Sequence, residues 1–419
     1  MQAELPHNRS SVIYMKGNVE KTRDNTDVDL EFRQESYFFY MTGVDEPGFH
    51  VIFHLQQEKV YLVVPTVPED DIFWKGSMPG NNELLSLYDI DEVITEARIP
   101  LFLHTVHAEM IYVLDHHVDT SHLPPSIPID YSTLSPAIKE ARLIKFPWEL
   151  DIMRQVTYGS SKAHIALMQQ CQPGMTEAHL AAVFRWNCAL YQIYHQAYQP
   201  IVASGSRAAT LHYARNNHKI PNSPHTLVLV DAGGENMCYG SDITRTFPAS
   251  GVFSDEAKTI YGIVLRMQET VLSCLRPGIL WADMQRIAIE ILCQELVRIG
   301  ILIGEQEELI ELGVPTAFYF HGLGHSVGLD VHDVGGNRLL QPNMVLTVEP
   351  GLYFNETMLQ IWTQCPGYQK YFNLDVLTRY KCVGGVRIED TVVITLDGYE
   401  NLTRVPKQIH EIEQIMKHL

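Results

Sequence analysis

Leu227–Thr246 reads LVLVDAGGENMCYGSDITRT. Two apolar runs flank a Gly-Gly-Glu-Asn turn signal, which predicts a β-hairpin. A turn centred on Asn236 and Met237 sets Asp231 opposite Asp242 on the two strands. Like charges directly opposite one another destabilise a ladder. A divalent cation between the two carboxylates would compensate. A shifted register, or one aspartate turned to solvent, would also relieve the repulsion.

Three later stretches favour the cation. His321–Asp333 reads HGLGHSVGLDVHD, Met344–Tyr353 reads MVLTVEPGLY, and Gly384–Val393 reads GGVRIEDTVV. Each sets His or Glu in or beside an apolar β-type run, where an unpaired charge is costly. Two Asp, one His and two Glu form an oxygen-rich, sulfur-free donor set. Such a set suits hard or borderline divalent ions, more than one of them, rather than a structural cysteine zinc site.

In this order the four stretches resemble the metallopeptidase family of Xaa-Pro dipeptidases (prolidases) and aminopeptidases P. The resemblance runs over nearly the whole chain. It implies an α+β fold: a C-terminal pita-bread catalytic domain of two pseudo-twofold halves behind a smaller mixed α/β N-terminal domain. Domains are expected at 1–136 and 137–419.

Composition agrees with a globular, ordered chain. The 419 residues are 46% hydrophobic, and the formal charge of −19 argues against nucleic acid as a partner. The seven cysteines (Cys171, Cys188, Cys238, Cys274, Cys293, Cys365 and Cys382) show no CxxC spacing. They are read as reduced thiols of a cytoplasmic protein. The opening MQAELPHNRSSVIYMKG lacks a long apolar region, so no secretory signal is expected, and no apolar run predicts a membrane span.

Along the first half, short apolar runs alternate with polar turns: Val12–Met15, Tyr37–Met41, His50–His54 and Val60–Pro65. Glu31–Pro47 and Phe73–Gly76 carry the resemblance here. The strand candidate at Ser11–Met15 starts almost at once, where family members usually have an additional helix first. Pro124, Pro125, Pro128 and Pro136 mark the domain boundary. Pro147 then suits a first helical turn. A weak repeat follows: Cys171–Met175 and Cys274–Ile279 each contain Pro-Gly before a helical run. Thr176 and Ser254 are N-cap candidates. Ile260, Val264, Met267 and Val271 mark a core-facing stripe.

The resemblance implies roles for individual residues. Asp231, Asp242, His325, Glu349 and Glu389 would bind two divalent ions, most often Mn²⁺, with Co²⁺ or Zn²⁺ as alternatives. Asp242 and Glu389 would bridge them. Ions roughly 3.5–4 Å apart hold a shared hydroxide as nucleophile. Glu349 would also shuttle a proton, His332 would stabilise the tetrahedral intermediate, and His212 would bind substrate. The role of His321 stays open. Arg387 lies two residues before Glu389, on the same strand face, where it would orient a ligand or receive substrate. Tyr198 matches a tyrosine near the metals. Trp74 resembles an aromatic that reaches a partner subunit's pocket in some relatives, and a homodimer is implied with it.

The chain departs from the prolidase pattern after Val331-His332-Asp333-Val334-Gly335-Gly336. The long insert expected there is absent, and with it the Arg that clamps a dipeptide carboxylate. Arg338 cannot be aligned with that Arg. The shorter connection is more like aminopeptidase P, whereas Asn355–Cys382 has prolidase-like length. The expectation is hydrolysis of the Xaa-Pro bond, dipeptides first. Aminopeptidase P action on longer peptides, or a catalytically weak binding homologue, are the alternatives.

Overall fold

The computed structural model describes residues 10–68 and 70–417, so positions 1–9 of the stretch read for a secretory signal lie outside the described residues. The chain divides into two compact units, the first running to Arg142 and the second beginning at Leu143. The division falls near the end of a helix, Leu134–Leu143, that spans the proline-marked boundary at 136.

In the first unit six strands form one mixed sheet: β1 (Ser11–Lys16), β2 (His50–His54), β3 (Lys59–Val64), β4 (Glu92–Thr95), β5 (Met110–Tyr112) and β6 (Ile129–Asp130). Their order is β4-β3-β2-β1-β5-β6. The helices are α1 (Ser36–Thr42), α2 (Asp71–Lys75), α3 (Asn81–Leu87), α4 (Ile99–Thr105) and α5 (Leu134–Leu143). Strand β1 explains why its apolar run is continuous. Ile13 and Met15 enter one core cluster while Val12 and Tyr14 enter another, so both faces of the sheet are buried. The run at Tyr37–Met41 is helical, because the Glu35 side chain caps its first turn and Gly43 ends it in a left-handed conformation.

The second unit shows the repeat. The first half holds α6 (Pro147–Gln170), α7 (Glu177–Leu190), β7 (His195–Gln196), β8 (Ile201–Ser204), β9 (Leu227–Asp231), β10 (Gly234–Asn236), β11 (Tyr239–Gly240) and β12 (Thr244–Pro248). The second holds α8 (Asp255–Cys274), α9 (Trp281–Arg298), α10 (Gln306–Glu311), β13 (Val345–Val348), β14 (Gly351–Tyr353), α11 (Glu356–Gln364), α12 (Leu374–Tyr380), β15 (Gly385–Arg387), β16 (Asp390–Ile394), β17 (Tyr399–Asn401) and α13 (Ile409–Ile415). Gly174 and Gly278 hold the same left-handed turn between the paired helices, with φ of 89° and 83°. Pro147 opens α6, and Thr176 and Ser254 cap α7 and α8. Ile260, Val264, Met267 and Val271 are buried in the main core. Strand β9 is buried on both faces: Val228 and Val230 join that core, while Leu229 packs with Ile201, Ala203 and Tyr353. Among the described residues no helix is long and apolar enough to cross a membrane.

The hairpin exists, but its register corrects the expectation. Asn236 pairs with Tyr239, so the turn lies at Met237–Cys238, one residue later than the expected Asn236–Met237. Both turn residues have positive φ, 49° and 61°, as a two-residue hairpin turn whose twist matches its strands requires. Asp231 therefore faces Thr244, and Asp242 falls two residues before that partner. The two aspartates are diagonal neighbours rather than directly opposed.

Candidate metal centre

One cavity of about 490 Å³ collects the predicted ligands. Asp231, Asp242, His325, Glu349 and Glu389 all line it, with His212, His321, His332, Leu211 and Arg387. The four predicted carboxylate ligands sit at a strand end or a break between strands, and His325 lies in the irregular segment before β13. Asp231 closes β9, Asp242 precedes β12, Glu349 follows β13, and Glu389 lies between β15 and β16. The two halves meet where Thr244 bridges Glu389, with the Glu389 amide donating to the Thr244 carbonyl at 3.0 Å. Tethering at strand ends fixes the backbone and leaves the side chains pointing into the gap.

The donor atoms converge. Ligating atoms of Asp242, His325 and Glu389 lie within 4.8 Å of one another. His325 Nε2 is 3.3 Å from both Asp242 Oδ2 and Glu349 Oε1. Its Nδ1 lies 3.1 Å from the Ser326 carbonyl. A hydrogen bond there keeps a proton on Nδ1, so that loss of the Nε2 proton would leave the Nε2 lone pair facing the carboxylates, the tautomer a metal ligand needs.

Electrostatically the cluster holds more carboxyls than cationic partners: Asp231, Asp242, Glu349 and Glu389 against Arg387 and His325. Burial pushes the carboxyls of Asp231 and Glu389 up, and the neighbouring carboxylates add to that shift. Glu349 is raised by burial to about 7. Burial opposes charging of His325, yet Asp242 and Glu349 hold it up to about 9. Four carboxyls and one correctly oriented imidazole, with proton uptake as their alternative to repulsion, fit divalent cations well.

Around the ligands runs a network that sequence reasoning read only in part. Arg387 is buried and donates from Nη2 to Asp231 Oδ2 at 2.5 Å, from Nε to Thr244 Oγ1 at 3.1 Å and from Nη1 to the Tyr353 hydroxyl at 3.1 Å. The Tyr353 hydroxyl lies 2.8 Å from His321 Nε2, and His321 Nδ1 lies 2.7 Å from the Gly322 carbonyl. His321 is thus held neutral inside the wall, its pKa lowered to about 3 by burial and by Arg387. Tyr198 donates to Asp231 Oδ1 at 2.5 Å and also contacts Asp242 Oδ1. His332 stacks edge-on to His325, ring centres 4.3 Å apart. Trp74 lies in the first unit on α2, 87% exposed beside an equally exposed Phe73.

The threonines were missed. Thr244 donates to Glu389 Oε2 at 2.6 Å, Thr347 to Glu349 Oε1 at 3.1 Å, and Thr391 to the Asp242 carbonyl at 2.7 Å. Each stands two residues from a ligand, at Asp242+2, Glu349−2 and Glu389+2. The strand period puts such residues on the ligand's face, so spacing carried the signal. Gln268 was not legible: from α8 its buried amide donates to the Val348 and Ile388 carbonyls, one residue before each glutamate ligand.

Comparison with known proteins supplies the family. Metallopeptidase family M24 matches residues 151–396, and the aminopeptidase P N-terminal domain matches residues 2–112. A protein of Uncinocarpus reesii named Probable Xaa-Pro aminopeptidase PEPP is 37% identical over 435 residues, covering 97% of this chain and 90% of its own. A like-named protein of Coccidioides posadasii is also 37% identical, covering 98% of this chain and 93% of its own. Among solved structures, the low-pH form of Escherichia coli aminopeptidase P is 30% identical with a TM-score of 0.86, covering 99% of this chain and 96% of that one. A zinc-substituted form of that enzyme in complex with product matches to the same extent. With its pita-bread region and its N-terminal domain both matched, the chain belongs to the aminopeptidase P and prolidase group of metallopeptidase family M24.

Proposed function

We propose that this chain is an aminopeptidase P: a metal-dependent hydrolase that releases the residue preceding proline from peptides longer than two residues. The observation that carries the reading is the convergence of Asp231, Asp242, His325, Glu349 and Glu389 on one cavity, in a chain similar over nearly its full length to proteins named Xaa-Pro aminopeptidase. The ligands and the roles below are part of the proposal.

Divalent ions held by the five residues would supply Lewis acidity toward the scissile carbonyl and a water of lowered pKa. The remaining chemistry falls to this chain's own groups. His332 and His212, both on the cavity wall, supply N–H donors to the charge developing on the carbonyl oxygen. Glu349 receives a proton and returns it to the leaving proline nitrogen, which has no N–H of its own. Arg387 orients Asp231. Mn²⁺ is the favoured ion by resemblance, with Co²⁺ and Zn²⁺ as alternatives.

Dipeptidase action, ranked first from the sequence, becomes the second reading. Its best support was Arg387 as a substitute carboxylate clamp. In the structure the guanidinium is committed to Asp231, Thr244 and Tyr353 through all three of its nitrogens. The relatives' names point the same way. Hydrolysis of Gly-Pro beside a Pro-second tripeptide by Mn²⁺-loaded protein, with Asp242→Ala as control, tests the reading. Tripeptide cleavage supports it, and cleavage of the dipeptide alone overturns it. A homodimer in which the exposed Phe73–Trp74 tip meets a second copy is part of the same proposal, to be tested by light scattering on wild type and Trp74→Ala. A cytoplasmic location is proposed on the seven free thiols.

A further inference from the structure

Glu177 opens α7 and is fully buried. A buried carboxylate without partners is costly, and this one accepts five hydrogen bonds. Its Oε1 receives the Ser204 amide at 3.0 Å, the Ser204 hydroxyl at 2.8 Å and Arg207 Nε at 2.9 Å. Its Oε2 receives the Tyr213 hydroxyl at 2.8 Å and the His218 amide at 3.1 Å. All five donors come from one stretch, 204–218, which also carries Leu211 and His212 into the cavity wall.

That stretch has little regular structure of its own. A short 3-10 turn ends at Ala209, and no strand intervenes before β9. Its other ties lie to either side of His212. Asn355 Nδ2 donates to the Ala209 carbonyl, Gln199 Nε2 to the Ala214 carbonyl, and the Asn216 side chain bonds Val202 and Pro200 of the preceding segment. The Tyr213–Glu177 bond falls on the residue next to His212. We propose that Glu177 is a positioning residue for the reaction: its carboxylate gathers residues 204–218 so that His212 faces the reacting carbonyl. This rests on the aminopeptidase reading above. Glu177 touches neither substrate nor metal ligand, and acts only through the loop.

Glu177→Gln keeps the side-chain volume but turns one acceptor oxygen into an NH₂ that faces donors. In Mn²⁺-loaded enzyme acting on a Pro-second tripeptide, kcat should fall about tenfold while Mn²⁺ affinity by calorimetry stays unchanged. In a His212→Ala background the same change should add nothing, because coupled sites are non-additive. Additive losses, or an unaltered kcat, overturn the proposal. If Glu177→Gln does not fold, Tyr213→Phe removes a single donor and must show the same cycle with His212→Ala. Should wild type cleave no proline peptide, the functional reading fails by itself. The positioning then rests on NMR of the His212 ring: a shift in Glu177→Gln with His332 unmoved supports it, and an unmoved His212 overturns it.

Discussion

Replacing Arg387 by Met tests how the cluster is held together before any cation enters. The Arg387 side chain is 4% exposed and its partner Asp231 13%, so neither charge has water to fall back on. Removing one member of a buried ion pair leaves the other uncompensated, at a cost of about 3–5 kcal/mol. For a domain of this size each kcal/mol lowers Tm by roughly 2–4 °C, which predicts a fall of about 6–20 °C in chelator-treated protein. Asp231→Asn removes the charge that needs Arg387, so the double variant should lose less than the sum of the singles. The coupling expected is about 2–3 kcal/mol. Differential scanning calorimetry on wild type, both singles and the double gives the cycle. A coupling below about 0.5 kcal/mol, the scatter between independent sites, would refute the argument.

The sign with pH is also fixed. Burial already raises the Asp231 carboxyl, and Arg387 is the largest influence pulling it down. Without Arg387 the carboxyl takes up a proton more readily. The deficit of the variant relative to wild type should therefore shrink as pH falls from 7 toward 4. A deficit that grows over that range would contradict the assignment.

His164 gives a second pH dependence, on a group far from water. It is fully buried, its Nδ1 has no partner, and burial lowers its pKa to about 4. The stability from this neutral ring is present above the unfolded value near 6.5 and is lost as pH falls through that value toward 4, about 2 kcal/mol of it by pH 5. Urea unfolding at pH 7 and pH 5 should show a smaller difference for His164→Leu than for wild type, and equal differences would refute it. A Cβ at Gly324 would lie 2.1 Å from the Thr347 carbonyl oxygen, whereas one at Gly322 would meet open space. Gly324→Ala should cost about 1–3 kcal/mol and weaken Mn²⁺ binding, with Gly322→Ala near wild type in calorimetry. Mn²⁺ at one hundred times its Kd should stabilise the protein by about 2.7 kcal/mol. Asp242→Asn should abolish that shift, and a thermal melt indifferent to chelator would count against the metal centre.

Much of the site was legible because ionisable residues in apolar β runs have few inexpensive explanations. Asp231, Asp242, His325, Glu349 and Glu389 share one cavity, as their order and context implied. The hairpin register was not legible. The Gly-Gly-Glu-Asn signal sets the turn on Asn236 and Met237, yet the left-handed residues are Met237 and Cys238, whose side chains carry no such signal. The surrounding sheet decides: β10 must pair with both β7 and β11, and that double pairing sets the turn one residue on. Tertiary contact also hid Gln268, whose amide reaches the strands from a helix more than a hundred residues before Ile388.

Arg387 shows how the missing distances bear on function. Its spacing from Glu389 predicts a shared strand face, and two uses are open: orienting a ligand or receiving substrate. Spacing does not choose, because the partners that decide lie 156 and 34 residues away in the chain, at Asp231 and Tyr353. Once folded, the fork is spent on Asp231, Thr244 and Tyr353, and redirecting it would strip a buried carboxylate of its cation. On the proposed reading a substrate would gain little from ending at proline, since Arg387 is not offered to its free carboxylate. The prolidase insert that would carry another is absent between Gly336 and Leu340. Under the proposed reading, a peptide continuing past proline would forgo no contact with Arg387, which favours aminopeptidase over dipeptidase action.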